Sequence, residues 1–118
     1  MSNFRNLLIW QKSMVLVTKI YSVTNNFPKE EVFGLTSQIK RSAISIPSNI
    51  AEGLGRESSK EFLRFLKISI GSLFELQTQL EIAKNIIYLD EETFKNLYED
   101  TRELERMIVA FTKKIKNN

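Results

Sequence analysis

Apolar residues recur at alternating three- and four-residue steps in four stretches of the chain, the spacing that gives a helix one apolar face. The first stretch runs from about Asn6 to Asn25, with Leu7, Trp10, Met14, Val17, Tyr21 and Thr24 on its stripe. Asn25-Asn26-Phe27-Pro28 ends it, because proline disfavours helix in the residue before it and suits the opening of the next. The second stretch, from about Lys29 to Leu54, carries Val32, Leu35, Ile39, Ala43, Ile46 and Ile50. Pro47 lies inside it, where proline removes a backbone donor and crowds the carbonyl four residues back. The apolar register continues across Pro47, so the spacing predicts a helix kinked there, or else two short helices. Gly53 and Gly55 are expected to end it, since glycine tolerates the left-handed geometry of a C-terminal cap.

The third stretch opens on Ser58-Ser59-Lys60-Glu61, the pattern of a capping box in which Ser58 and Glu61 satisfy each other's backbone N–H groups. Phe62, Leu66, Ser69, Leu73, Leu76, Leu80, Ala83 and Ile87 then keep heptad spacing. The fourth begins at Asp90, with Glu91 and Glu92 at the positive end of the helix dipole and Lys113, Lys114 and Lys116 at the negative end. Its stripe is Phe94, Leu97, Thr101, Leu104, Ile108, Phe111 and Ile115. Four such helices with short connections predict an all-α, antiparallel, up-down-up-down four-helix bundle. No linker or repeat divides residues 1–118, so one domain is expected.

Composition narrows the chemistry. With 118 residues, 42% apolar and 26% charged, the chain has the profile of an ordinary globular protein. It contains no cysteine, which excludes disulfides, thiolate metal sites and thiol chemistry and fits a reducing, cytoplasmic setting. It contains no histidine, which removes the usual general base and the Glu-x-x-His pairs of di-iron bundles. No glycine-rich phosphate loop is present. The Trp10-Gln11-Lys12-Ser13 break argues against a signal peptide, and no apolar run is long enough to span a membrane. No catalytic residues, cofactor, metal or small-molecule substrate are therefore expected.

Two helices carry more apolar surface than one bundle face requires. Beside the first stripe of the first helix lies a second, formed by Ile9, Leu16, Ile20, Val23 and Phe27. The third helix adds Leu63, Ile70 and Phe74 on one flank and Ile68, Ile82 and Ile86 on the other. Two readings stand: a broad core contact, or contact between subunits, because monomers rarely leave large apolar patches in water.

Polar residues form two further patterns. On the second helix Gln38, Arg41, Ser45, Asn49, Glu52 and Arg56 fall within an arc of roughly 80° opposite its core stripe. This is either a solvated face or a hydrogen-bonded network along a subunit boundary, with Glu52 and Arg56 spaced for an ion pair. Glu75 sits on a flank of the third helix beside Ile68 and Ile82. Glu52 with Glu75 could be imagined as the paired acids of a hydrolase, but nothing that would position a substrate accompanies them. Lys60, Arg64 and Lys67 make a basic strip on the third helix, and Lys12 and Lys19 make another on the first. Each is read as an ordinary charged face or as a phosphate contact. The net charge of +3 and isoelectric point near 9.2 favour an anionic partner.

The stretch from Phe33 to Phe65 carries a long signature: Ile46-Pro47-Ser48-Asn49-Ile50-Ala51-Glu52-Gly53, then Gly55-Arg56 and Lys60-Glu61-Phe62. With Leu8-Ile9-Trp10-Gln11-Lys12, Gly71-Ser72, Glu75-Leu76 and Gln79-Leu80, it resembles the bacterial four-helix-bundle proteins first noticed as products of intervening sequences in large-subunit ribosomal RNA genes. The resemblance covers nearly the whole chain. It implies a ring-like homopentamer. It also implies kinship with the accessory variability protein of diversity-generating retroelements, a basic pentamer that binds nucleic acid and reverse transcriptase. No enzymatic activity, and so no catalytic residue, comes with it. Two functions are expected to compete: an oligomer that holds RNA or DNA through repeated basic strips, and a structural or protein-interaction module that binds no nucleic acid.

Overall fold

The structure, a computed structural model, describes residues 3–117. It has four α-helices and two short 3-10 turns, with no strand among the described residues: α1 (Leu8–Thr24), α2 (Leu35–Gly55), α3 (Ser59–Asn85) and α4 (Glu91–Lys116). Each helix packs on the next in the chain, and α4 closes against α1. The molecule measures 45 × 23 × 20 Å.

The caps explain where the helices start. The Ser58 hydroxyl accepts from the Glu61 backbone N–H at 3.3 Å, and the Asp90 carboxylate accepts from Thr93 at 2.7 Å. That contact, from the Thr93 backbone N–H, holds the Asp90 carboxyl below its usual range. Only half of the expected capping box is built, because the Glu61 carboxylate turns to Arg64 at 3.1–3.2 Å. The second helix begins six residues later than about Lys29. Lys29–Glu31 form a 3-10 turn, and Val32 lies exposed outside the helix. There Glu31 accepts from the Leu35 backbone N–H at 3.0 Å and from the Tyr88 hydroxyl at 2.9 Å. These bonds lower the Glu31 carboxyl and raise the Tyr88 phenol. With the Phe27–Tyr88 ring contact at 5.5 Å, they brace the α1–α2 loop against the α3–α4 loop.

α2 runs through Pro47 as one helix, so the two-helix alternative is set aside. Gly53 is not its terminator. It is buried inside the last turns, and a Cβ there would lie 2.6 Å from Phe65 Cβ and 3.1 Å from Phe62 Cδ1. Its value is therefore close approach of α2 to α3. The left-handed residue of the α2–α3 turn is Glu57, with φ of 57°.

The core is built from Ile39, Ala43, Ile46 and Ile50 of α2, Leu66, Leu73, Leu76 and Leu80 of α3, and Leu97, Leu104 and Ile108 of α4. On α1 the two apolar stripes exchange the ranks given by spacing alone. Ile9, Leu16 and Ile20 are buried, whereas Met14 and Tyr21 are exposed. Ser13 and Thr24 belong to the buried stripe and satisfy their hydroxyls on the carbonyls of Trp10 and Ile20, at 2.8 Å each. The last position of the α3 stripe also fails: Ile87 leaves the helix and is exposed.

Candidate interaction surfaces

The polar stripe of α2 does not stand opposite the core. Ser45 turns toward α3, and Asn49 bonds back to it. The Ser72 hydroxyl donates to Ser45 Oγ at 2.8 Å, and Asn49 Nδ2 donates to the carbonyl and hydroxyl oxygens of Ser45 at 2.8 and 2.9 Å. Beside them Ser69 donates to the Ile46 carbonyl at 3.0 Å, and Ser42 to Gln79 at 2.8 Å. Small hydroxyl residues thus line the α2–α3 seam, and no buried side-chain nitrogen or oxygen among the described residues lacks a partner. Gln38, Arg41, Glu52 and Arg56 remain exposed on its rim. Glu52 and Arg56 form the ion pair their spacing allows, at 2.8 Å. Arg41 and Glu75 are exposed, and neither makes an ion pair among the described residues. Glu75 lies on α3 and Glu52 in the last turns of α2. Ser42 and Ser72 are members of this network that spacing alone does not assign, and Ser69, which heptad spacing places on the α3 stripe, reaches the seam through the Ile46 carbonyl.

The basic residues divide into two groups. Lys12 meets Glu103 at 3.2 Å and Lys19 meets Asp100 at 2.8 Å, so both are countered by acids of α4. On α3, Arg64 is engaged by Glu61, which raises the guanidinium and lowers the carboxyl, and it lies 4.6 Å from the centre of the Phe65 ring. Lys60 and Lys67 are exposed and form no ion pair among the described residues. The Phe62–Phe111 ring contact at 5.7 Å brings the start of α3 to the end of α4. Lys60 and Arg64 therefore share one end of the bundle with Lys113, Lys114 and Lys116.

Two half-open apolar grooves complete the surface. One, of about 360 Å³, lies between α1 and α2 and is lined by Trp10, Met14, Val17, Ile44, Pro47 and Ala51. The other, of about 340 Å³, lies between the start of α1 and the end of α4. No group of three or more acidic residues is placed to hold a metal among the described residues, and no helix is long and apolar enough to cross a membrane.

Residues 5–110 match the model of the 23S rRNA-intervening sequence protein family. The chain belongs to that family. The crystal structure of a protein of unknown function from the S23 ribosomal protein family of Bacteroides thetaiotaomicron is similar, at a TM-score of 0.81 and 25% identity. The match covers 90% of this chain and 99% of that one. No protein of curated function matches.

Proposed function

We propose that this family member is a non-enzymatic, cytoplasmic homo-oligomer, most simply a homopentamer, that holds RNA or DNA by its phosphates. The bundle is read as antiparallel, up-down-up-down. The pairings Lys12–Glu103 with Lys19–Asp100, and Ser42–Gln79 with Ser45–Ser72, support this, because numbers rise on one helix as they fall on its neighbour. A bend of α2 at Pro47 follows from the missing backbone donor opposite Ala43.

The observation that carries the nucleic-acid reading is the difference between the two basic strips. Lys60 and Lys67 are exposed and form no ion pair among the described residues, and Lys60 shares its end of the bundle with the C-terminal lysines, whereas Lys12 and Lys19 are paired with acids of α4. Phosphate contacts of this kind are salt-dependent and read no sequence. The test is gel-shift or filter binding to structured RNA and duplex DNA at two salt concentrations. Replacing Lys60, Arg64 and Lys67 together by Ala should weaken binding to all sequences alike and reduce the salt slope by about 2, one for each lysine without an ion pair. Replacing Lys12 and Lys19 should do much less. Absence of binding by the wild-type protein at low salt would overturn the reading. The apolar α1–α2 groove would then favour the protein-interaction module, with self as one partner.

A further inference from the structure

The two ends of the bundle differ in charge and are alike in carrying apolar surface. At the end formed by the α1–α2 and α3–α4 loops, residues 25–34 and 84–92 hold five acids (Glu30, Glu31, Asp90, Glu91, Glu92) and two bases (Lys29, Lys84), a net charge of −3. At the other end, residues 3–9, 52–64 and 110–117 hold seven bases and three acids, a net charge of +4.

The acidic end projects two large apolar side chains almost wholly into solvent: Phe33 is 95% exposed and Ile87 is 86% exposed. Ile87 is costly in a second way. It terminates α3 through the Tyr88 N–H to Ala83 carbonyl bond at 2.8 Å and the Ile87 N–H to Lys84 carbonyl bond at 3.0 Å, the hydrogen-bond pattern that normally has glycine at its left-handed position. Ile87 adopts that position with φ of 68°, where a β-branched residue is an outlier. Strain kept together with exposed apolar surface points to a contact that uses it.

The basic end holds the complementary shape. Its groove of about 340 Å³ is lined by Leu7, Leu8, Met107, Ala110 and Phe111, with Lys114 at the rim. The groove's volume exceeds that of a phenylalanine side chain, and Lys114 adds a positive charge to its lining.

We infer that the acidic end of one copy docks into the basic end of a second, with Phe33 seated in the Leu8–Phe111 groove and Ile87 against its edge. The second copy is the occupant because this same chain presents both halves of the match: acidic with projecting apolar side chains, and basic with an apolar recess. The contact is head-to-tail, so a pair of copies keeps one free end of each kind and the association can continue along the long axis. It is distinct from any side-by-side oligomer, which would use the flanks of the helices. The anchor is small, so the contact is weak and partly electrostatic, and salt should loosen it.

The chain has no cysteine, which makes a directional test clean. Phe33→Cys and Leu8→Cys proteins, both altered at exposed side chains, are mixed at high concentration under mild oxidation. A mixed disulfide between the two is expected, in excess over either self-linked product. Sedimentation velocity of the full chain should show association that rises with concentration, falls in high salt, and is weakened at least tenfold by Phe33→Asp. Circular dichroism melting verifies that each variant is folded. Absence of the mixed disulfide overturns the inference, as does a Phe33→Cys product linked only to itself, which would mean tip-to-tip contact. A wild-type oligomer whose mass ignores both salt and Phe33→Asp also overturns it, while leaving a side-by-side assembly intact. A wild-type protein that is monomeric at all concentrations overturns both.

Discussion

The α2–α3 seam and the α1–α4 seam close the same bundle by opposite means. Between α2 and α3 the contact residues are small: Gly53 meets Phe65, and Ser42, Ser45, Ser69 and Ser72 exchange hydrogen bonds across the interface. Between α1 and α4 the rim is spanned by two long pairs, Lys12–Glu103 and Lys19–Asp100, with side chains between about one third and one half exposed. The first seam is held by proximity, in which dispersion and satisfied hydroxyls act over short distances. The second is held from outside by charges that water largely screens. The difference teaches where the chain tolerates change. One seam should respond to a single added methyl group, and the other should barely register the loss of a whole charged side chain.

The largest effect is expected at Gly53. A methyl group added there meets Phe65 Cβ at 2.6 Å, an atom fixed to its own backbone, so α2 and α3 must move apart. Overpacking of this kind costs about 1–3 kcal/mol. Alanine returns up to about 1 kcal/mol of helix propensity. Gly53→Ala should therefore lower stability by about 1–2 kcal/mol, seen as a lower urea midpoint at unchanged slope. An unchanged midpoint would mean that the seam is not held by close approach.

Gly71 sharpens the same comparison from the opposite side. It too lies inside a helix, on α3, but a Cβ there meets no atom within 4 Å. Gly71→Ala should be stabilising by about 0.5–1 kcal/mol, since only the backbone entropy of glycine is removed. The same substitution thus changes sign between two positions of the bundle, and thermal melts of the two variants measure that directly. Destabilisation by Gly71→Ala in the assembled protein would place that face against another subunit.

Much of this architecture was legible in the residues, because helical periodicity and caps are local. The Ser58 and Asp90 starts and the α4 stripe could be read directly. Neither the ranking of the two α1 stripes nor the role of Gly53 could be. Spacing puts Thr24 with Trp10, Met14, Val17 and Tyr21 and leaves Ser13 on neither stripe, yet both are buried with Ile9, Leu16 and Ile20. Their hydroxyls are satisfied within the helix and their small side chains admit neighbours. Gly53 reads as a terminator from spacing because it stands two residues from the helix end, and only the position of Phe65 reveals its use. The acids that counter Lys12 and Lys19 lie 91 and 81 residues away. No spacing rule reaches that far, so these lysines read as free cations until the helices are packed.

Those two lysines supply the smallest predicted effect and the sharpest contrast with Gly53. Lys12→Ala and Lys19→Ala each remove a partially exposed ion pair, for which a loss of no more than about 0.5–1 kcal/mol is expected. Alanine offsets part of that loss through its better helix propensity. The informative variable is salt. Raising ionic strength from about 0.01 M to 1 M shortens the screening length from about 30 Å to 3 Å, so any difference between the wild type and either variant should shrink toward zero. The Gly53→Ala difference arises from steric contact and should persist across the same range. Urea unfolding of the three variants at low and high salt separates the two kinds of seam. A Lys19→Ala loss that exceeded 1 kcal/mol and survived high salt would mean that its stem, rather than its charge, holds α1 against α4. The lysine stem would then be packing along apolar surface near Leu16 and Leu104, which line the same shallow cleft as Lys19.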